Sequence, residues 1–198
     1  AWDQTLQAAE EHYNPGTFTT LDGYEWSMVR NDGHLHRNVI FRDMKVPDYP
    51  ISAIEATTPV KFWESLENFT QEGATVLAIP HNSNLARGMM FDDQQLDGTP
   101  IGKDYVTARN KYEPLIEVHQ VKGSSEVHAD FWKNDEFADF ENSTFLPAEE
   151  KNYVRYALKK GLEYEEKLGV NPFKYGLIGS TDTHNGTSGN TEEDDDFV

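Results

Sequence analysis

The spacing of apolar residues predicts helices that alternate with strands along the chain. Apolar residues three and four positions apart mark the helices, and short apolar runs mark the strands. The predicted helices are Trp2–Tyr13, a helix from Thr58 to near Gly73, Lys103–Lys111 and Pro147–Leu168. The predicted strands are Thr17–Leu21 continuing through Gly23–Trp26, then Asn38–Phe41, Thr75–Ile79, Pro114–Val121 and Tyr175–Ile178. This alternation indicates one α/β domain over residues 1–198, with a mainly parallel sheet.

Local signals fix some of the boundaries more closely than the apolar spacing does. Thr58 followed by Pro59 is typical of an N-cap and a first-turn proline. Gly169 fits the position just after the last helix, where a left-handed conformation is common. Asn31-Asp32-Gly33 is a turn signal. The acidic run near the end, placed at 191–198, is predicted to be a mobile, solvated tail.

The composition of the chain narrows the classes of partner that it is expected to bind. The chain has 198 residues, 35 acidic against 17 basic, and a net charge of -18. Such a field repels nucleic acid and anionic membranes, so neither is an expected partner. No apolar run approaches the roughly 20 residues needed to span a bilayer. The chain has no cysteine, which excludes disulfides and thiolate metal sites and leaves the compartment unassigned.

Imidazoles and carboxylates recur where the predicted strands end. Glu25 ends one strand, His81 follows another, and Asp182 and His184 follow the last. His36 stands just before Asn38–Phe41, a strand that we interpret as antiparallel to its neighbour. Strand ends that meet at one rim of an α/β barrel bring such groups together. The pattern therefore predicts a shared site for divalent metal ions.

Each of these residues also has a structural interpretation. Glu25 could pair with Arg30 or Arg37, and His34 and His36 could form the solvated face of a hairpin. Asp182 could cap the loop that follows it. A histidine such as His119, which lies within a predicted strand, is interpreted as structural.

Several motifs together resemble the PHP (polymerase and histidinol phosphatase) superfamily, and more closely the domain-of-unknown-function 3604 family. The broader resemblance lies in Gly23-Tyr24-Glu25-Trp26, His36 before a strand, Ile79-Pro80-His81-Asn82 and Gly179–His184. The closer one lies in Leu35–Arg42, Ala78–Leu85, Gln120–Gly123 with Glu126 and His128, Asn134–Asp139 and Gly179–His184. It covers nearly the whole chain.

The resemblance implies a distorted (β/α)7 barrel that binds two or three divalent ions, Zn, Mn or Fe. It implies Glu25 as a bridging ligand, His36 and His81 as ligands, and Asp182 with His184 as the closing pair. His34 is the alternative to His36. Lys122, Glu126 and His128 are candidate catalytic or substrate groups, and Glu117 and Gln120 belong to the same surroundings.

PHP proteins carry an early His-x-His motif, and no such motif precedes Glu25 in this chain, whose predicted strands are too few to close a barrel. We therefore expect an internal fragment, an incomplete barrel without its N-terminal strands, which could self-associate through exposed sheet edges. The function this implies is metal-dependent hydrolysis of a small molecule, most simply a phosphate ester, although the fragment itself could be inactive. The alternatives are a degenerate barrel that only binds metal or ligand, and nucleic-acid processing, which the charge disfavours.

Overall fold

The computed structural model describes residues 1–186, and the predicted tail 191–198 lies outside them. Its helices are α1 (Trp2–His12), α2 (Pro59–Gln71), α3 (Lys103–Tyr112) and α4 (Val154–Leu168). Its strands are β1 (Gly23–Trp26), β2 (Val29–Arg30), β3 (Gly33–His34), β4 (Arg37–Phe41), β5 (Val76–Pro80), β6 (Leu115–Gln120), β7 (Gly123–Ser124) and β8 (Gly176–Gly179). The mixed α/β content agrees with the sequence pattern.

Local capping signals account for two helix ends. The Thr58 side chain accepts a hydrogen bond from the Lys61 backbone at 3.2 Å, and Pro59 occupies the first turn of α2. Gly169 ends α4 with φ of 79°, as the sequence predicted. The predicted start of α4 at Pro147 is wrong. The helix begins at Val154 instead, because the Val154 N–H donates to the Ser125 carbonyl at 2.9 Å.

The prediction of a mainly parallel sheet is wrong. One sheet has the order β1–β4–β5 with both pairs antiparallel, and a second has the order β7–β6–β8, in which only β6 and β8 are parallel. β2 and β3 form a separate hairpin. Its two-residue turn is Asn31-Asp32, both left-handed with φ of 48° and 60°. This turn reverses the chain between β1 and β4, so that these two strands pair antiparallel.

The predicted (β/α)7 barrel is also wrong. Over residues 1–186 the strands form small separate sheets and close no barrel. β8 pairs with β6 alone among the described strands, and of its two apolar side chains Leu177 is exposed and Ile178 is half-buried. Thr17–Leu21 is not a strand either. Its pairing is a single bridge between Asn14 and Phe18, and the Phe18 side chain is exposed.

The core lies where α2 packs on the first sheet. Trp26 stacks on Phe62 with ring centroids 4.6 Å apart, and Trp63 and Leu66 on the same helix face are fully buried. The alternation of buried and half-buried side chains along β4 shows which face meets the core. Within residues 1–186, no helix combines the length and apolarity needed to cross a membrane.

Candidate metal centre

Strand pairing places the ends of several strands at one edge. Arg37, the first residue of β4, pairs with Trp26 at the end of β1 and with Pro80 at the end of β5. This register confirms that the strand after His36 is antiparallel to its neighbours. His36 and His81 therefore lie at the same edge as Glu25, one residue beyond the paired positions. The β8 exit joins this edge where the Thr181 carbonyl accepts from the Val121 N–H at 3.1 Å.

The Glu25 carboxylate lies between two groups of side chains. His36 Nδ1 is 2.8 Å from Glu25 Oε1, and His81 Nε2 is 3.5 Å from the same oxygen. The other oxygen, Oε2, faces His184 Nε2 at 4.0 Å. Ligand atoms of Glu25, His36 and His81 all lie within 4.8 Å of one another, as do those of Glu25, Asp182 and His184. The structure thus brings together all five residues predicted as ligands, with Glu25 common to both sets.

Several buried atoms in this region lack a hydrogen-bond partner within the protein. His36 Nε2 and His81 Nε2 are such atoms, the 3.5 Å approach of His81 to Glu25 being too poor for a hydrogen bond. His81 is fully buried, and its other nitrogen, Nδ1, lies 3.4 Å from the Ile79 carbonyl. A carbonyl on one ring nitrogen orients the other for a ligand. Buried nitrogens and carboxylates without sulfur fit a divalent ion such as Zn, Mn or Fe.

A polar layer supports Asp182. Gln120, at the end of β6, donates to Asp182 Oδ2 at 2.7 Å and also to the Asn82 side chain. Lys122, in the turn between β6 and β7, places its ammonium on the same Asp182 oxygen. Lys122 is therefore the predicted catalytic candidate that reaches the centre.

The ionisation of the neighbouring carboxyl groups differs with their environment. The close contact with His36 and the nearby imidazole of His81 hold the pKa of Glu25 well below its usual range. Burial raises the pKa of Glu117 to about 7, because this carboxyl is almost inaccessible and its Oε1 has no hydrogen-bond partner. Desolvation lowers the pKa of His34, whose ring lies 4.8 Å from that of His36.

Two backbone positions at the centre are left-handed without being glycine. Asn82, directly after His81, has φ of 57°, and Asp182 has φ of 51°. The backbone from Asp182 to His184 is therefore not extended throughout, although both side chains face Glu25. Non-glycine residues in this conformation cost free energy and cluster at functional sites.

The other two catalytic candidates lie away from the centre. Glu126 pairs with Arg155 at 2.9 Å, and His128 packs among aromatic rings that include Tyr153. Sequence reasoning overlooked the Asn84 side chain, which donates to the Lys122 carbonyl at 3.0 Å and accepts from Ser125 at 2.9 Å. The polar Asn82-Ser83-Asn84 run after β5 was the available signal.

Comparison with known proteins gives a family. The family DUF3604, described as protein of unknown function, matches residues 1–198. The chain belongs to this family. No curated protein and no solved structure matches the chain significantly. The closer of the two resemblances seen in the sequence is thereby confirmed, and the family description assigns no chemistry to the centre.

Proposed function

We propose that this DUF3604 protein is a metal-dependent hydrolase and that its substrate is a phosphate ester. The observation that carries the proposal is the position of Glu25. Its Oε1 faces His36 and His81, and its Oε2 faces His184, next to Asp182. A carboxylate with an oxygen toward each of two ligand sets suits a bridge between two divalent ions. The motif resemblance to PHP proteins, which use such ions, supports the same proposal.

In such a reaction, a water oxygen forms a bond to phosphorus, the phosphorus–oxygen bond to the alcohol breaks, and a proton reaches the departing alcohol oxygen. Two bound divalent ions supply an activated water and neutralise charge on the reacting group. The chain itself holds the surroundings in place. Gln120 and Lys122 fix Asp182 from one side, and His81 is held by the Ile79 carbonyl.

Lys122 favours an anionic substrate. Its ammonium is the cation that lies directly on a proposed ligand, and its side chain is about a quarter exposed. An ammonium at this position would also be able to donate a charge-assisted hydrogen bond to a phosphate oxygen of the substrate. The net charge of -18 argues against a polyanionic substrate such as nucleic acid, so we propose a small phosphate ester.

Variants at the two ligand sets test the proposal. Glu25→Gln removes the shared ligand, and we expect it to lower bound Zn or Mn and to reduce p-nitrophenyl phosphate hydrolysis by about two orders of magnitude. Asp182→Ala and His81→Ala each remove one ligand from one of the two sets, so each variant should lose part of the bound metal. Elemental analysis of the purified protein measures the stoichiometry, and circular dichroism confirms folding.

Glu166→Gln is the matched control, because this glutamate is exposed on α4 away from the centre. It should retain both metal and hydrolysis. Metal stoichiometry unchanged in Glu25→Gln would contradict the ligand assignment. Metal bound by the wild type with no ester hydrolysed would instead support a binding protein without turnover.

A further inference from the structure

A small cleft adjoins the metal centre and shares Lys122 with it. The cleft has a volume of about 210 Å³, and it lies between the turn Val121–Gly123 and the segment Glu141–Phe145. The same Lys122 carries its ammonium to Asp182. A molecule whose reacting group lies at the centre would therefore extend into this cleft.

The segment is held against the turn by specific contacts. The Glu141 carbonyl accepts from the Ser124 N–H at 2.9 Å, and the Glu141 carboxylate pairs with His119 on β6. Gly123 permits the close approach, because it has φ of 96° and a Cβ there would lie 2.6 Å from the Glu141 carbonyl. The cleft is thus formed by the fold before any ligand arrives.

The lining combines hydroxyl, amide and aromatic groups. The Ser143 hydroxyl accepts from the Phe145 N–H at 3.3 Å, which leaves its own proton free to donate outward. Thr144 adds an exposed hydroxyl, and Asn142 adds an amide whose nitrogen is directed at the Val127 and Phe140 carbonyls. Phe145 also lines the cleft, and its side chain is 72% exposed. A few placed polar groups beside an aromatic surface suit a ligand with hydroxyls on one side and an apolar face on the other.

We propose that this cleft binds the alcohol half of the substrate and that this half is a single sugar ring. The inference rests on the proposed function, since it assigns the group that the phosphate carries. The volume is below the about 300–1,000 Å³ of sites for drug-sized ligands, which favours one ring over an extended chain. Hydroxyls of the sugar meet Ser143 and Asn142, its C–H face lies on Phe145, and the phosphate meets Lys122.

The test compares sugar phosphates with an ester that lacks a sugar. Phe145→Ala should raise the KM for glucose 6-phosphate or ribose 5-phosphate about tenfold, the loss of one contact of roughly 1.4 kcal/mol. The kcat should stay unchanged, and p-nitrophenyl phosphate hydrolysis should change less than about twofold. Ser143→Ala should act in the same direction. Phe137→Ala is the matched control, because Phe137 is 67% exposed on the same loop and does not line the cleft.

The outcomes separate this inference from the proposed function. Hydrolysis of p-nitrophenyl phosphate with sugar phosphates unaffected by Phe145→Ala would overturn the cleft assignment alone. If no ester is hydrolysed, calorimetry of glucose 6-phosphate binding decides. Weaker binding to Phe145→Ala than to the wild type and Phe137→Ala supports the cleft, and equal binding to all three rejects it.

Discussion

Two groups of buried polar and charged side chains lie next to each other in the fold, one containing His36 and the other containing Arg37. They differ in how the protein compensates their charges. His36 belongs to the candidate metal centre, and Arg37 beside it belongs to a buried cluster around Glu113. In that cluster, Arg37 Nε lies 3.0 Å from Glu113 Oε1, Trp63 donates to the same oxygen at 2.8 Å, and Arg109 Nε lies 3.0 Å from Oε2. Both arginines also donate to backbone carbonyls. At the metal centre, by contrast, buried nitrogens of His36 and His81 have no hydrogen-bond partner.

The contrast distinguishes a structural group from a binding group. In the Glu113 cluster opposite charges lie in contact, and most polar atoms are hydrogen-bonded within the protein, the exceptions being Glu113 Oε2 and Arg109 Nη2. The cluster therefore ties α2, α3 and β4 together without a ligand. The centre around Glu25 leaves ligand atoms buried and unsatisfied, which costs free energy unless something else supplies the missing interactions. Neither burial nor a missing partner alone marks a functional site here. The candidate centre differs in that its atoms without partners are the metal-ligand nitrogens of two histidines, whereas Glu113 and the arginines balance one another's charge.

The largest expected effect is on the free energy of unfolding, when a substitution removes the carboxylate of the Glu113 cluster. Glu113→Ala leaves Arg37 and Arg109 buried without their carboxylate, and removing one partner of a buried ion pair costs about 3–5 kcal/mol. We expect the free energy of unfolding, measured by urea denaturation, to fall by that amount. Under conditions where the variant is folded, it should still bind the metal, because Glu113 is not a proposed ligand.

Glu166→Gln provides the control for Glu113→Ala, since its exposed side chain should change the free energy of unfolding by less than about 0.5 kcal/mol. A Glu113→Ala protein as stable as this control would show that the cluster is not structural. Loss of metal with stability intact would assign Glu113 to the centre instead and erase the contrast between the two regions.

A smaller effect should appear in the uncompensated region when the pH is varied. Burial raises the pKa of Glu117 to about 7, above the about 4.3 of an unfolded glutamate. The folded protein then binds more protons than the unfolded chain between these values, so the contribution of Glu117 is greatest below pH 4 and is lost as the pH rises through 7. In metal-free protein with a chelator present, the loss should be on the order of 3 kcal/mol.

Glu117→Gln removes this dependence. The free energy of unfolding of the variant relative to the wild type should therefore increase from pH 5 to pH 8, as measured by urea denaturation. Glu166→Gln should follow the wild type over the same range. Parallel curves for Glu117→Gln and the wild type would show that the carboxyl is solvated, and that the centre carries less uncompensated charge than the structure indicates.

A structural feature could be predicted from the sequence when the residues that determine it lie close together in the chain. The start of α2 depends on Thr58 and Pro59, and the end of α4 depends on Gly169, so each was readable within a few residues. The convergence of Glu25, His81 and Asp182 was predictable as well, because each follows an apolar run. Strand direction depends on partners far along the chain. The apolar runs suggested a mainly parallel sheet and the resemblance to PHP proteins implied a barrel, and the structure forms neither.

The parts of the site that sequence reasoning missed depend on long-range contacts. Glu141 lies in a segment without apolar periodicity, and its carboxylate finds His119 only through the fold. The same holds for Glu113, whose partners Arg37 and Trp63 are far away in the sequence. Neither residue stands in a motif, so neither could be assigned a role before the pairing of the strands was known.

The smallest effect concerns a compensated charge at the surface. Hydrogen bonds from Lys111 and Tyr112 lower the pKa of Glu67 to about 2, and these contacts join α2 to α3. The Lys111 and Glu67 side chains are exposed, whereas Tyr112 is buried. The stabilisation is present above the unfolded value of about 4.3 and is lost as the pH falls toward 2. The difference in urea midpoint between the wild type and Glu67→Gln should therefore be small at pH 6 and smaller still at pH 3. A difference as large as that of Glu113→Ala would mean that an ion pair stabilises the protein equally at the surface and in the core. The comparison between the Glu113 cluster and the candidate metal centre, which rests on burial, would then lose its basis.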